Sequence, residues 1–251
     1  MPSRLIRPPS VPAILKALKA AGTEKKRASA IRVGIPMDKA FGVSVGTVRA
    51  IAKPLRGQHA LAAPLWKTGI HEARLLAIFV ADPEQMSRSA IERWLDDVVS
   101  WDLCDHLCGD LASRRADAAD LVRRWIKSPK LYIKRAAFAL IATLAVHSKD
   151  LDDELFAELA GLVVEHSDDA RPHVRQAASW ALRSIGKRDA ANRDRALSAA
   201  AELAESAEPA KRWVGRDAMR ELESLIKVRQ RGRPLTSRSK TGRKQARYAA
   251  R

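Results

Sequence analysis

The sequence predicts an all-α protein, a right-handed α-solenoid of short helical repeats with a concave basic groove. Three observations point there. No stretch alternates apolar and polar residues with the period of two that a half-buried strand requires. Aromatics are only 5% of the 251 residues while alanine is abundant, a mix that suits close-packed helices over a β-sandwich. Finally, Ile133–Leu144, Val174–Ile185 and Val214–Leu225 align without gaps, their first residues 41 and 40 positions apart. A period near forty, with Ala137, Ala178 and Ala218 at the same offset, is the signature of HEAT-like helix pairs, which need a small residue where they approach most closely. On periodicity alone a generic helical bundle is the alternative.

Local signals place the elements in order. Ser10 before Val11-Pro12 is an N-cap with proline near the helix start, and Gly22 closes that helix. Thr23 opens a second helix that ends before Gly34-Ile35-Pro36. Residues Gly42–Leu55 begin as a loop and become a helix broken at Pro54, followed by helices at about Leu61–Lys67 and His71–Val80. Ser89-Ala90-Ile91-Glu92 reads as a capping box, and Ser100 as the cap of a helix with Asp102 in its first turn, where negative charge suits the helix dipole. The expected organisation is a flexible N-terminus over residues 1–9, a repeat domain over 10–226, and a basic tail without fixed structure over 227–251.

Charge narrows the partners. A hydrophobic content of 46% excludes disorder throughout, and 46 Lys+Arg against 29 Asp+Glu give a net charge of +17, which suits a polyanion. Ten of those cations and no acid lie from Lys227 to Arg251, leaving +7 for the first 226 residues. No run of about eighteen apolar residues exists, so nucleic acid is favoured over membrane, and MPSRLIRPPS lacks the apolar stretch of a secretory signal. Within the tail, Arg231-Gly232-Arg233-Pro234 resembles the core of an AT-hook, an extended strip that enters a narrow A·T minor groove. A plain basic tail is the alternative, and both readings give salt-sensitive DNA affinity.

Cys104 and Cys108 lie four apart on one helix face and read as two small buried thiols, compatible with a reducing, cytoplasmic and nucleoid-associated setting. His106 between them has no second ligand pair, and neither HExxH nor paired CxxC occurs, so no metal or other cofactor is expected. Trp101 and Asp105 stand one turn apart in SWDLCD. By alignment of the repeats, Arg135 corresponds to Gln176, and Trp180 follows one turn later with Arg183 close by; Arg135 and Trp180 should then project from neighbouring repeats into a shared groove. Taken singly, each has a plainer reading: Trp101 as core, Asp105 as an ion-pair partner, Arg135 as a solvated charge.

Taken together, GVSVGTVRAIAK, LWKTGIHEARLLA, SWDLCD, IKRAAFAL and QAASWALR resemble the DNA alkylation repair family, the AlkD-type DNA glycosylases built from HEAT-like repeats, over roughly Ala30–Ile226. The resemblance implies that Trp101 and Asp105 act at the lesion and that Arg135, Trp180 and Arg183 face DNA. A tyrosine common on the family's early helix has Ala30 as its nearest counterpart in RASAIR.

It also implies a monofunctional glycosylase, a monomer acting on double-stranded DNA with alkylated purines, releasing 3-methyladenine and 7-methylguanine and leaving an abasic site. Such bases are already cationic and leave without a proton, so the enzyme's task is to stabilise positive charge on the sugar and admit water. A carboxylate suits both, which points to Asp105. The tryptophans would offer cation–π attraction and exclude bulk water. Arg135 and Arg183 would hold phosphates, joined by Arg231 and Arg233 of the tail. No lysine is placed for lyase chemistry. Two other function classes stay open: a non-catalytic HEAT-like protein that binds distorted or branched DNA, and a protein-interaction scaffold, against which the +17 charge argues.

Overall fold

Ser10 and Thr23 cap the first two helices as their neighbours suggest. The computed structural model describes residues 9–227 and 231–249, with the backbone alone for the last five; most of the expected flexible N-terminus lies outside the described residues. In α1 (Val11–Ala21) the Ser10 hydroxyl accepts the Ala13 amide, and in α2 (Glu24–Arg32) Thr23 accepts Lys26. Ser44 caps α3 (Val45–Ala52), which passes into a 3₁₀ turn holding Pro54. There follow α4 (Ala62–Lys67), α5 (His71–Val80), α6 (Arg88–Asp96) and α7 (Trp101–His106). The cap of α6 is Ser87, not the expected Ser89. Ser87 is extended and its hydroxyl accepts the Ala90 amide at 3.2 Å, so the helix has already begun when Ser89 is reached.

The chain divides into two compact units, Met1–Ala116 and Asp117–Arg251. In the first, α3 packs on α5 and α5 on α7, burying Val48, Leu75, Leu76, Ile78, Leu103 and Leu107. The indoles of Trp66 and Trp94 stack with centroids 4.3 Å apart and parallel planes, and the Trp66 N–H donates to Asp97 at 2.9 Å.

The second unit contains the repeats as three helix pairs: α8 (Ala118–Trp125) with α9 (Leu131–His147), α10 (Asp153–His166) with α11 (Pro172–Ile185), and α12 (Ala190–Ala204) with α13 (Pro209–Leu222). The second helices stack in sequence, α9 on α11 and α11 on α13, while α10 packs on α12. Ala137, Ala178 and Ala218 are each 0% exposed, in keeping with small residues where these helices meet. Gly215 marks a close approach of α13 to α12: a Cβ there would stand 2.4 Å from both the Ala200 carbonyl oxygen and the Ala204 amide.

The tail departs from the expected structureless polycation. Among the described residues it forms β1 (Leu225–Ile226) and β2 (Leu235–Thr236), antiparallel with Leu225 opposite Thr236 and Ile226 opposite Leu235, and then α14 (Lys240–Ala249). This short ladder, with Ile226 opposite Leu235, and the Ser239 cap are hidden from a reading of composition by the surrounding charge.

Candidate functional site

α7 is held by its first turn. Its Ser100 is extended and buried but makes no side-chain cap bond, so the expected capping role is not filled. Asp102 stands in the first turn of α7 as expected and also takes a 2.9 Å contact from Nε2 of His71, the first residue of α5, with both side chains 9% exposed. Burial works against the Asp102 charge, but the hydrogen bond and charge of His71, together with further hydrogen bonds such as that from the Leu103 amide, outweigh it, and the carboxyl is held below its ordinary value.

A pH prediction follows with a definite sign. Because the folded carboxyl is the stronger acid, its stabilisation is fully present above the unfolded value of about 4 and is lost as pH falls through the lower folded value. Urea midpoints measured from pH 7 to 2.5 should fall most steeply below pH 4, and more steeply for wild type than for Asp102→Asn. Equal slopes would remove this account of the pair.

Trp101 and Asp105 lie one turn apart on this anchored helix. The Trp101 indole N–H donates to the Val33 carbonyl at 2.9 Å, tying the ring to the end of α2. Asp105 is half-buried, between neighbours that are fully packed: Leu103, Cys104, Leu107 and Cys108, the two thiols being buried and not joined in a disulfide. Immediately after His106 the helix widens into a π-turn over Leu107–Leu111. Such a turn resets which side chains share a face and recurs at functional sites. It is braced by Asp110, which meets His106 at 3.0 Å and the Arg49 guanidinium at 2.8 and 2.7 Å, with Arg49 also lying 4.2 Å over the Phe79 ring. Where the early-helix tyrosine would stand, Ala30 lines a recess of about 260 Å³ with Val33, Met37, Val43, Leu75 and Asp102.

Three more of the expected residues belong to the repeats of the second unit. Arg135 is 6% exposed and donates to the His173 carbonyl at 2.5 Å, at the start of α11. It therefore does not extend openly into a groove beside Trp180; the stacking of α9 on α11 lets its long side chain reach the neighbouring backbone. Trp180 is half-buried, two turns further along α11. Arg183 is also half-buried and pairs with Glu221 of α13 at 2.7 Å, while Lys187 shares the same carboxylate. The expected set is thus divided, Trp101 and Asp105 in the first unit and Arg135, Trp180, Arg183 and the two tail arginines, Arg231 and Arg233, in the second.

A family model described as DNA alkylation repair enzyme matches residues 14–222. The chain belongs to that family. Among solved structures, it is similar to one described as "a new family of proteins related to the HEAT-like repeat DNA glycosylases with affinity for branched DNA structures", with a TM-score of 0.70 and 20% identity, covering 95% of this chain and 94% of that one. The likeness shows the fold, an all-α array of HEAT-like repeats. A designed armadillo repeat protein bound to the peptide (KR)4 is similar at a TM-score of 0.42 and 17% identity, covering 84% of this chain and 98% of that one. No curated protein matches. Among the described residues no helix is long and apolar enough to cross a membrane.

In this DNA alkylation repair protein, sequence reasoning missed the supports of α7. His71 with Asp102 and Arg49 with Asp110 pair residues 31 and 61 positions apart, and nothing local marks such partners. The one usable signal was Asp102 itself, a charge in an otherwise apolar turn.

Proposed function

We propose that the protein hydrolyses the N-glycosidic bond of cationic alkylpurines in duplex DNA, 3-methyladenine and 7-methylguanine among them, and leaves an abasic site. The C1′–N bond breaks and its electron pair goes to the base, cancelling the base's positive charge. Water then bonds to C1′ and gives up its proton. Asp105 stabilises the charge that builds on the sugar and orients that water. Trp101 flanks the same nucleotide, with its N–H already committed to Val33 and its orientation therefore set. In the second unit Trp180 and Arg183 contact the DNA backbone, and Arg135, being buried, adds positive field more than reach.

The observation that carries this reading is Asp105, an acid left partly exposed on α7 among buried neighbours, one turn from a tryptophan whose ring is pinned. Incubating wild-type protein with methylated duplex DNA and assaying free 7-methylguanine tests it. We expect release above the spontaneous rate, in molar excess over protein.

A second reading is kept because the structurally similar family has affinity for branched DNA. If the protein binds four-way or flapped DNA tightly yet frees no base, it is a binding protein and the catalytic reading fails.

A further inference from the structure

The family match ends at residue 222, yet the fold continues beyond it as a built appendage. The Ser237 amide donates to the Ser224 carbonyl at 2.7 Å, and the Ser224 and Thr236 hydroxyls lie 2.7 Å apart. Gly242 of α14 lies so close to β2 that a Cβ on it would stand 2.2 Å from the Thr236 carbonyl oxygen. Ser239 caps α14 by accepting the Gly242 amide at 2.9 Å. The fastening to the repeats is Arg233: its Nη2 donates to the Ser184 carbonyl at 2.6 Å and its Nε reaches the Lys187 carbonyl at 3.5 Å, at the end of α11, where a cation suits the helix dipole. The second arginine of RGRP is therefore spent on protein backbone. It cannot serve an AT-hook strip while this bond holds.

What the appendage presents is charge. Arg231, Arg238, Lys240, Arg243 and Lys244 are all exposed, no acid occurs from Lys227 to Arg251, and among the described residues none of the five is in an ion pair. Lys240, Arg243 and Lys244 fall within the first five positions of α14, where the helix dipole disfavours cations. A polyanion lying across them relieves that repulsion. We propose that residues 225–227 and 231–249 form a folded DNA clamp, fastened to α11 by Arg233, which grips duplex phosphates through these five cations without reading sequence. The proposal rests on the DNA-binding part of the function above and not on its chemistry.

The test uses the full chain on undamaged A·T-rich and G·C-rich duplexes across a salt series. The variant R238A/K240A/R243A/K244A changes only exposed side chains; it should bind 10- to 100-fold more weakly. Its salt slope should be shallower by roughly 2 to 4, since each phosphate no longer neutralised removes ~0.9. Arg233→Ala should speed tryptic cleavage within residues 238–244 and weaken binding by a smaller factor, because the clamp is no longer preset in position. Both duplexes should bind wild type equally. An unchanged salt slope in the quadruple variant, a persistent A·T preference, or unchanged tryptic resistance in Arg233→Ala overturns the clamp. Release of 7-methylguanine by wild type is scored separately: no release with the clamp effects intact sinks only the catalytic reading, and release with an unchanged slope sinks only the clamp.

Discussion

Asp105→Asn should reduce release of 7-methylguanine from methylated duplex by about 10²- to 10³-fold, the scale of removing one preorganised electrostatic interaction. Asparagine keeps the size of the side chain and removes the charge that opposes the developing cation. Packing of α7 is carried by Leu103, Cys104 and Leu107, all buried, so the helix should keep its place. Duplex affinity should stay within about threefold, because a carboxylate beside phosphates contributes repulsion, if anything, to ground-state binding. Single-turnover release alongside anisotropy titrations separates the two quantities. Undiminished release in the variant would remove Asp105 from the chemistry; failure of both release and binding would assign it to folding.

The largest effect on stability should come from Glu72→Ala. The Glu72 side chain is 1% exposed, and its carboxylate accepts three consecutive backbone amides, Phe41 at 2.9 Å, Gly42 at 2.7 Å and Val43 at 3.0 Å. Gly42 adopts φ 76°, a left-handed backbone, and a Cβ on it would stand 2.5 Å from the Thr23 carbonyl, so the loop has little freedom to find other acceptors. Truncation leaves two buried donors and one part-buried donor unmet and opens a void, together about 3–5 kcal/mol. Glu72→Gln should fall between, since one amide oxygen remains. Urea unfolding measures it, and a loss under about 1 kcal/mol for the alanine variant would mean that water replaces the carboxylate at little cost.

How far the fold and site were legible depended on the range of the interactions. Helix starts at Ser10 and Thr23 could be read because capping is settled within three residues. The repeats could be read because each stacks on its neighbour with the same small residue at the seam. Arg135 was legible as a position and not as an environment. Its offset matches that of Gln176, yet Gln176 is exposed while the arginine reaches across to His173. Side-chain length, which alignment ignores, decides the difference. The Asp102–His71 pair spans two helices, and although Asp102 stands out in its turn, nothing local marks His71 as its partner. The short ladder in the tail could not be read, because the few hydrogen bonds and apolar contacts that form it are concealed by high charge in any average over composition.

The parallel Trp66–Trp94 stack gives the molecule an optical property of its own. Two indoles at 4.3 Å couple electronically, so their near-ultraviolet circular dichroism should differ from that of an isolated tryptophan and vanish when the rings separate. Both rings belong to the half of the chain that carries Asp105, and the nearby Arg74 guanidinium, 5.0 Å over Trp66, makes the signal responsive to local charge. Melting of that half can therefore be followed spectroscopically without a label.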